Sequence, residues 1–534
     1  MNRKIKQKII EFFHKKQLDF VENQIFVEKS KNFGDFSTNI ALVLAKKNNL
    51  KPLELANLIK DSLSSELTEI EKIEVIPPGF INFYVTKTEF TNVIKTILDK
   101  GENYGRIFEG QKINIEFVSA NPTGFLHLGH LRSAIIGDVL ANILAFCGNE
   151  VLREYYVNDF GNQIDKLTRS VFAQYQKIFG DFLLPEDAYL GADIVIAARK
   201  IYDIFGKKFQ FSNLEDQEIY TIFRENSLNF FLNEIKTDLL NLSIKIDKFS
   251  YESQLFKDEK VTKNIQKLPF VYKNQGATWL KTSEFGDQKD RVLVKKDGSF
   301  TYFSSDIAYH LEKINDKFKP QKLINIWGAD HIGYVDRMKA AMKIVKFDNK
   351  LEIILYQLVK LIKNNKEFKM SKRKGQTFTV KEFLEIAKVD SIRYFISERS
   401  FNSLVEFDID LASSVGNQNP LFLIQYAYAR GCQLLTKSEL NAEKITTFSS
   451  EIEIKIISKL KQFEEIVQKI SKNYKINLLN KYLLELANLF NFFYSNSRII
   501  GSNNSNDLLC LTKAVTIVLK IGLNLLGIEP KERI

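Results

Sequence analysis

Apolar positions along the first hundred residues follow two different periods. A helical period at residues 4–13 and again at 53–63 predicts two amphipathic helices. Residues 73–76 and 80–85 read as strands, and the Pro77-Pro78-Gly79 sequence between them is typical of a turn. These elements predict a small α+β domain over residues 1–105.

A different order of elements follows from residue 106. Residues 112–118 alternate as a strand, a Pro/Gly turn lies at 121–124, and a long helix is predicted from about 130 to 146. Cys147-Gly148-Asn149 ends that helix, and residues 151–156 form a second predicted strand. Strand, helix and strand in this order predict a parallel βαβ unit, the opening of a Rossmann-type nucleotide-binding sheet.

Residues 170–290 are mostly helical in pattern and are interpreted as an insertion into that sheet. Strands are predicted near Trp279 and at 292–294, and Asp297-Gly298 is a hairpin turn sequence leading into a further strand at 300–303. Another strand is predicted at 322–327, directly before a Gly-Ala-Asp-His sequence. We therefore predict a catalytic domain over residues 106–405.

The last part of the chain, residues 406–534, repeats Leu, Ile and Phe with a helical period and has a polar break at 502–506. This pattern predicts a helical bundle. The predicted fold class is thus α/β multidomain: a Rossmann-type parallel-sheet core, an N-terminal α+β domain and a C-terminal helical bundle. No run of 18 or more apolar residues occurs, so no membrane span is expected.

The composition indicates which kind of partner and which cellular compartment suit the chain. The chain has 534 residues, too many for one core, and a formal net charge of +11, which favours a polyanion such as nucleic acid, although a generally basic proteome would give the same charge. Its three cysteines, Cys147, Cys432 and Cys510, form no CxxC pair, so neither a disulfide framework nor a paired-cysteine zinc site is expected. The basic start lacks an apolar signal segment, and a cytoplasmic location is expected.

Two of the five histidines form the sequence His127-Leu128-Gly129-His130. Composition alone predicts roughly 0.002 such HxGH strings in this chain. Capping or core histidines are the structural alternative. The position of His127 and His130 after the first strand, at the start of a helix, favours a functional role. A helix N-terminus attracts anions, and two imidazoles there can hold phosphate oxygens.

A basic segment, Lys369-Met370-Ser371-Lys372-Arg373-Lys374-Gly375, follows about 240 residues later. Seen alone it would be a solvated loop. As a pair, however, the HLGH and KMSK sequences resemble the two signatures of class I aminoacyl-tRNA synthetases.

Further segments resemble the arginyl-tRNA synthetase family within that class. They are the sequence at 116–124 that runs into HLGHLRSAIIGD, the segments 302–309 and 327–331, the N-terminal segment 32–37, and the C-terminal segments 425–430 and 526–529. The resemblance covers nearly the whole chain and is weakest at 170–270. Many members have a degraded KMSK sequence, whereas this chain keeps both lysines.

The resemblance implies the chemistry and the partners. It implies activation of L-arginine with ATP, with Mg²⁺ sharing the phosphate charge, followed by transfer to tRNA(Arg), and it favours a monomer. The ATP phosphates and the departing pyrophosphate would be bound by His127, His130, Lys369 and Lys372, and the rest of ATP by Gly129, Asp330, Met370 and Ser371.

Arginine needs carboxylates, because its guanidinium is planar, always charged and best met by two acceptor oxygens. The resemblance assigns Glu116 and Asp306 to the guanidinium, Tyr302 as their hydroxyl partner, and Asn121 to the α-amino and carboxyl groups. The structural alternatives are a surface carboxylate at Glu116, a strand-end turn residue at Asn121, and a helix cap at Asp306.

Two functional alternatives stay open. One is another class I synthetase; the cysteinyl type lacks a cysteine cluster for its metal, and the context of the first signature disfavours the glutamyl and glutaminyl types. The other is a catalytically silent tRNA-binding homologue, which the intact HLGH and KMSK sequences disfavour.

Overall fold

The computed structural model describes residues 1–30, 34–108, 110–368 and 378–534. It divides into two compact units. The first combines residues 1–101 with 431–461 and 489–517, and the second combines 102–430 with 462–488 and 518–534.

The N-terminal part of the first unit is a four-stranded antiparallel sheet with helices packed on it. Its strands are β1 (Glu28–Lys29), β2 (Phe36–Thr38), β3 (Ile70–Ile76) and β4 (Phe80–Val85), in the order β1-β2-β4-β3. Its helices are α1 (Asn2–Lys15), α2 (Ile40–Leu44), α3 (Pro52–Ser64) and α4 (Lys87–Lys100). Apolar side chains of α1 and α3 that recur every third or fourth residue, such as Ile9, Phe13 and Ile59, are fully buried in this core. The two predicted helices and the predicted strand pair are confirmed.

The centre of the second unit is a five-stranded parallel sheet in the order β12-β11-β5-β6-β7. The strands from β5 onward are β5 (Lys112–Glu116), β6 (Glu150–Val157), β7 (Lys248–Tyr251), β8 (Val271–Asn274), β9 (Ala277–Leu280), β10 (Arg291–Val294), β11 (Lys322–Gly328), β12 (Leu351–Tyr356), β13 (Val359–Lys363), β14 (Lys366–Glu367) and β15 (Val405–Asp408). Strands β8 to β10 form a separate antiparallel sheet, and β13 pairs with β14 and β15. The predicted Rossmann-type core is confirmed.

Helices cover the remaining length of the chain. They are α5 (Leu128–Phe146), α6 (Asn162–Gln176), α7 (Ala192–Phe205), α8 (Gln217–Asn241), α9 (Glu252–Lys257), α10 (Lys260–Gln266), α11 (Tyr302–Asn315), α12 (Ile332–Ile344), α13 (Val380–Ile386), α14 (Val389–Ser397), α15 (Ile409–Ser413), α16 (Pro420–Leu435), α17 (Glu451–Asn473), α18 (Asn477–Asn496) and α19 (Ser505–Leu525). The last four are the predicted C-terminal helices, and the polar break at 502–506 lies where α18 and α19 are separated.

The structure departs from the sequence interpretation in two places. The predicted strand at 300–303 is wrong: only Phe300 bridges to Val294, and α11 begins at Tyr302. In addition, strand β7 lies inside the range 170–290 and forms the edge of the parallel sheet, so this range also contributes to the core.

Two helices among the described residues, α5 and α19, are long and apolar enough to cross a membrane by length and composition alone. In each, most of the apolar window is buried inside the protein, 72% for α5 and 78% for α19. A helix that forms part of a protein core passes the same test, so the finding is weak evidence for a membrane span.

Candidate active site

A cavity of about 910 Å³ opens at the carboxyl ends of β5 and β11. This edge of a parallel sheet is where ligands bind in nucleotide-binding folds. All the predicted site residues that the structure describes line the cavity: Glu116, Asn121, His127, Gly129, His130, Tyr302, Asp306 and Asp330. The other four, Lys369, Met370, Ser371 and Lys372, lie outside the described residues.

The two histidines of the HLGH sequence close a reciprocal cap at the start of α5. His127 Nδ1 accepts from the backbone N–H of Gly129 at 3.1 Å, and His130 Nδ1 accepts from the N–H of His127 at 3.4 Å. Because each Nδ1 is an acceptor, each neutral ring carries its proton on Nε2. A Cβ at Gly129 would lie 2.9 Å from His127 Cε1, so glycine leaves room for that ring.

Both imidazoles are neutral near pH 7. Burial lowers the pKa of His127, and burial together with the neighbouring His127 lowers the pKa of His130 to about 3. The rings are stacked with their centroids 3.8 Å apart, an arrangement that two imidazolium cations would oppose. The pair can therefore act as hydrogen-bond donors through Nε2–H, beside a helix N-terminus that favours anions.

The acidic end of the cavity, lined by Tyr302, Asp306 and Tyr309, is built mainly by α11. Tyr302, Asp306 and Tyr309 recur at helical spacing, so their side chains lie along one face. Tyr302 is 71% exposed, whereas Tyr309 is buried. Asp306 is half-buried and accepts from the hydroxyl of Tyr334. Burial, followed by the charge of Glu116, raises the pKa of Asp306 to about 6, against the lowering effect of the Tyr334 hydrogen bond.

Asp306 does not cap its helix. The N-cap residue of α11 is Thr301, five residues earlier, and the Asp306 carboxylate faces the cavity and Tyr334. The capping alternative for Asp306 is therefore wrong.

Glu116, at the end of β5, is buried and already partnered. Its Oε1 accepts from the Ser119 hydroxyl at 3.0 Å, and its Oε2 accepts from the ammonium of Lys313, whose side chain is 0% exposed. The surface-carboxylate alternative for Glu116 is therefore wrong. One of the two predicted guanidinium ligands thus has a cationic partner within the protein. Asp306 instead has the Tyr334 hydroxyl as a hydrogen-bond donor, and the charges of Arg337 and Lys313 act on it electrostatically.

The chain turns sharply between Glu116 and Asn121. Val118 and Ser119 have left-handed φ values of 67° and 41°. Residues other than glycine rarely adopt this backbone conformation, which costs about 1–3 kcal/mol per residue. Hydrogen bonds hold the turn: Val118 N–H donates to the Ser133 hydroxyl at 2.9 Å, and the Ser119 hydroxyl accepts from Tyr156 N–H at 3.1 Å. The strain therefore lies at the segment that sets the direction of Glu116.

Asn121 and Asp330 are further predicted residues of the cavity lining. Asn121 donates to Gln163 at 2.6 Å, and the Asp330 side chain is 81% exposed, 3.5 Å from His331 Nε2. A Cβ at Gly328 would lie 2.3 Å from Asp330 Oδ1, so glycine allows this carboxylate to turn back over the strand end.

Four residues at or beside the acidic end were missed by the sequence interpretation: Glu252, Asn158, Lys313 and Tyr334. Glu252 is buried beside Asp306, and burial followed by the Asp306 charge raises its pKa to about 7; Asn158, with its amide nitrogen turned to Glu252, donates to it at 2.7 Å. Lys313 and Tyr334 complete the set. Lys313 lies two helical turns after Asp306, and Tyr334 lies on the next helix. Such spacings are too common in sequences to identify functional residues.

The residues that follow the KMSK segment lie beside the HLGH segment. Leu128 N–H donates to Phe378 O at 3.2 Å, and Val380 N–H donates to Leu126 O at 2.8 Å, so 378–380 pairs with 126–128. This pairing places Phe378, the first described residue after the basic segment, beside Leu128, which lies between His127 and His130 in the sequence.

A second cavity of about 880 Å³ shares Asn121, His127 and His130 with the first. Its other walls carry the aromatic side chains of Phe125, Tyr189, Phe230 and Phe378, the cations Lys200 and Lys381, and the carboxylates Asp193, Glu234, Glu382 and Glu385. The histidine pair is therefore accessible from two sides.

Comparison with known proteins places this architecture. Three family models match in succession: the arginyl tRNA synthetase N terminal domain at residues 1–85, the class I (R) tRNA synthetase catalytic domain at 93–417, and the DALR anticodon binding domain at 424–534. The arginine–tRNA ligase of Mesomycoplasma hyopneumoniae (strain J) is 66% identical over 534 residues, 100% of each chain. That of Metamycoplasma arthritidis is 41% identical over 517 residues, 95% of each chain. The arginyl-tRNA synthetase structure from Thermus thermophilus, 20% identical, covers 100% of both chains with a TM-score of 0.75, which shows the shared fold. The chain therefore belongs to the arginyl-tRNA synthetase family.

Proposed function

We propose that this chain is an arginine–tRNA ligase that works at the cavity between β5 and β11. It activates L-arginine with ATP to arginyl-adenylate and pyrophosphate, and then transfers arginine to the 3′ terminal adenosine of tRNA(Arg). The observation that carries the proposal is one cavity with a carboxylate end at Asp306 and a neutral imidazole pair at a helix N-terminus. A cationic amino acid and a phosphate chain suit these two ends.

Asp306 is the principal guanidinium ligand in this proposal, with Tyr302 as the hydroxyl partner at the mouth. A guanidinium brought to Asp306 would meet a half-buried carboxylate, where a charge-assisted hydrogen bond is stronger than in water. Glu116, at the end of β5, is proposed as the second carboxylate for the guanidinium, and Asn121 as the contact to the α-amino and carboxyl groups of arginine.

His127 and His130 are proposed to hold the phosphates through their Nε2–H groups as the arginine carboxylate oxygen attacks the α-phosphorus. The bond from that phosphorus to the bridging oxygen then breaks, and negative charge moves to pyrophosphate. Lys369 and Lys372 would meet that charge. Gly129, Asp330, Met370 and Ser371 are proposed to contact the rest of ATP.

Mg²⁺ is proposed to arrive with the phosphates of ATP. The described residues hold no group of three or more His, Cys, Asp or Glu side chains that could bind a metal ion by themselves. No step is therefore assigned to a metal site of the protein.

We place the 3′ end of tRNA in the second cavity. Unpaired bases stack on aromatic side chains, and this cavity offers several of them beside the histidine pair. Its two lysines lie among four carboxylates, so base stacking, and not phosphate pairing, supports this placement. Residues 1–105, 106–405 and 406–534 are proposed to act as tRNA-contacting, catalytic and anticodon-binding domains. We also propose a cytoplasmic monomer that does not span a membrane.

Pyrophosphate exchange with ATP and each of the twenty amino acids, with and without tRNA(Arg), tests the function. Exchange with arginine and charging of tRNA(Arg) are expected. Exchange with another amino acid would assign a different class I synthetase, and tRNA binding without any exchange would assign a silent homologue.

A further inference from the structure

Lys313 lies on the same helix as Asp306, two turns further along α11, and its side chain is completely buried. Moving an ammonium out of water costs several kcal/mol unless hydrogen bonds and an opposite charge compensate it. Here the compensation comes from Glu116, from Asn325 Oδ1 at 3.3 Å, and from the ring of Tyr309, whose centroid lies 4.5 Å from Nζ. The buried ammonium of Lys313, close to the acidic end of the cavity, is therefore compensated by specific contacts.

The ammonium also fixes the direction of a chain of hydrogen bonds. Lys313 can only donate, so the Oδ1 atom of Asn325 must face it and the Nδ2 group of Asn325 must face the other way. That group donates to His310 Nε2 at 2.7 Å, which leaves the His310 proton on Nδ1, and Nδ1 donates to the backbone oxygen of Asp306 at 2.7 Å. Burial lowers the pKa of His310 to about 3, in keeping with a neutral ring in this chain.

One buried cation therefore contacts both sides of the acidic end. It binds Glu116 directly on β5, and it reaches the helical turn of Asp306 through Asn325 on β11 and His310 on α11.

We infer that Lys313 is a positioning residue for amino-acid binding, which holds Glu116 in place and, through Asn325 and His310, fixes the helical turn that carries Asp306. This inference rests on the proposed function. Lys313 itself does not line the cavity, so its effect is exerted through these neighbours.

The first test replaces Lys313 by Gln, which keeps a hydrogen-bond donor and removes the charge. Aminoacylation kinetics are measured from pH 6 to 9 with arginine varied at saturating ATP and tRNA, and then with ATP varied. K313Q is expected to raise the KM for arginine about tenfold or more, with the KM for ATP changed less than about threefold. The matched control is Lys322→Gln, a partly exposed lysine 3.8 Å from Glu352, which is expected to leave both constants unchanged.

A second comparison separates positioning from packing. Lys313 contacts Glu116, which lines the cavity, but does not line the cavity itself, so the loss of its charge should fall on arginine binding and not on both substrates. The double variant E116Q/K313Q tests whether Lys313 acts through Glu116. In the E116Q background the K313Q change should raise the KM for arginine less than it does alone.

Three outcomes would overturn the inference: equal changes in both KM values, an effect of K313Q that is as large in the E116Q background as alone, or wild-type arginine kinetics in K313Q. If K313Q does not fold, a folded double variant supports the charge compensation, and an unfolded one reduces Lys313 to a residue of the core. Absence of arginine charging by the wild-type protein would instead refute the proposed function itself.

Discussion

At the scale of single residues, Asp306 separates recognition of arginine from general support of the fold. Asp306→Asn keeps the shape of the side chain but removes the charge and turns one acceptor oxygen into a donor that faces guanidinium N–H groups. Guanidinium N–H groups that are left without an acceptor cost about 1–3 kcal/mol of binding free energy. We expect the KM for arginine to rise at least about tenfold while the KM for ATP stays nearly constant, measured by steady-state aminoacylation.

The pH dependence of the same residue gives an independent check. The carboxylate must be ionised to bind a guanidinium, and burial raises the pKa of Asp306 to about 6. The wild-type kcat/KM for arginine should therefore be maximal above that pH and fall as the pH drops through it. Wild-type arginine kinetics in Asp306→Asn would show that the recognition carboxylate is elsewhere.

His130 is expected to act on the transition state. Its Nε2–H is positioned for charge that develops as pyrophosphate departs, so His130→Ala should lower kcat for adenylation by about 10²–10³-fold with little change in the KM for ATP. The control is His14→Ala, an exposed histidine on α1 outside the cavity, which should leave kcat unchanged.

The protonation state of His130 makes a second, separable prediction. Because burial and His127 lower its pKa to about 3, the ring is neutral throughout the working range. No loss of kcat with an apparent pKa near 6.5 should be traceable to it. An ionisation near 6.5 that disappears in His130→Ala would contradict the neutral pair.

At the scale of elements, α11 shows what a sequence pattern can and cannot predict. The Asp297-Gly298 turn was predicted and is present, with Lys295 N–H donating to Ser299 O at 2.8 Å. The strand expected after it is absent, because Thr301 uses its hydroxyl on Val292 O at 2.9 Å and becomes the N-cap residue of the helix. Aromatic residues at 300–303 favour a strand locally, and this tertiary contact overrides that preference.

The sequence predicted the site residues that lie in short motifs, but not the residues whose role depends on burial. His127, Gly129 and His130 lie together in the sequence, and their cavity follows from strand order. Lys313 could not be predicted as functional, because a lysine in a helix is ordinarily solvated, and only the fold reveals that it is buried against Glu116.

The packing of α5 on β5 gives a prediction for a whole element. A Cβ at Gly137 would lie 2.2 Å from Cγ of Phe117, so Gly137→Ala must displace the helix or the residue beside the strained turn. Such overpacking costs about 1–3 kcal/mol, and the thermal midpoint should fall. Gly333→Ala is the matched control in α12, where a Cβ meets nothing within 4 Å; helix propensity there favours Ala by up to about 1 kcal/mol. Equal midpoints for the two variants would contradict the close approach.

At the scale of the whole molecule, two kinds of electrostatic recognition differ in how salt affects them. The chain carries a formal net charge of +11, whereas the arginine end of the cavity is a small group of buried or half-buried carboxylates. Charges in solvent are screened over about 10 Å at 0.1 M salt, and buried ones are screened much less. The polyanion and the amino acid should therefore respond differently to the same salt.

We expect the KM for tRNA(Arg) to rise steeply between 50 and 200 mM salt and the KM for arginine to rise only slightly. A protein that neutralises about 6–10 phosphates loses roughly 10³–10⁵-fold in affinity over such a range, because each contact releases condensed counterions. Aminoacylation with each substrate varied in turn at several salt concentrations measures both constants on the same protein, so the arginine series is the internal control for salt effects on the enzyme as a whole. A KM for tRNA(Arg) that does not change with salt would mean that the net charge of this chain takes no part in tRNA binding. A parallel rise in both constants would instead locate the effect in the stability or chemistry of the enzyme rather than in phosphate contacts.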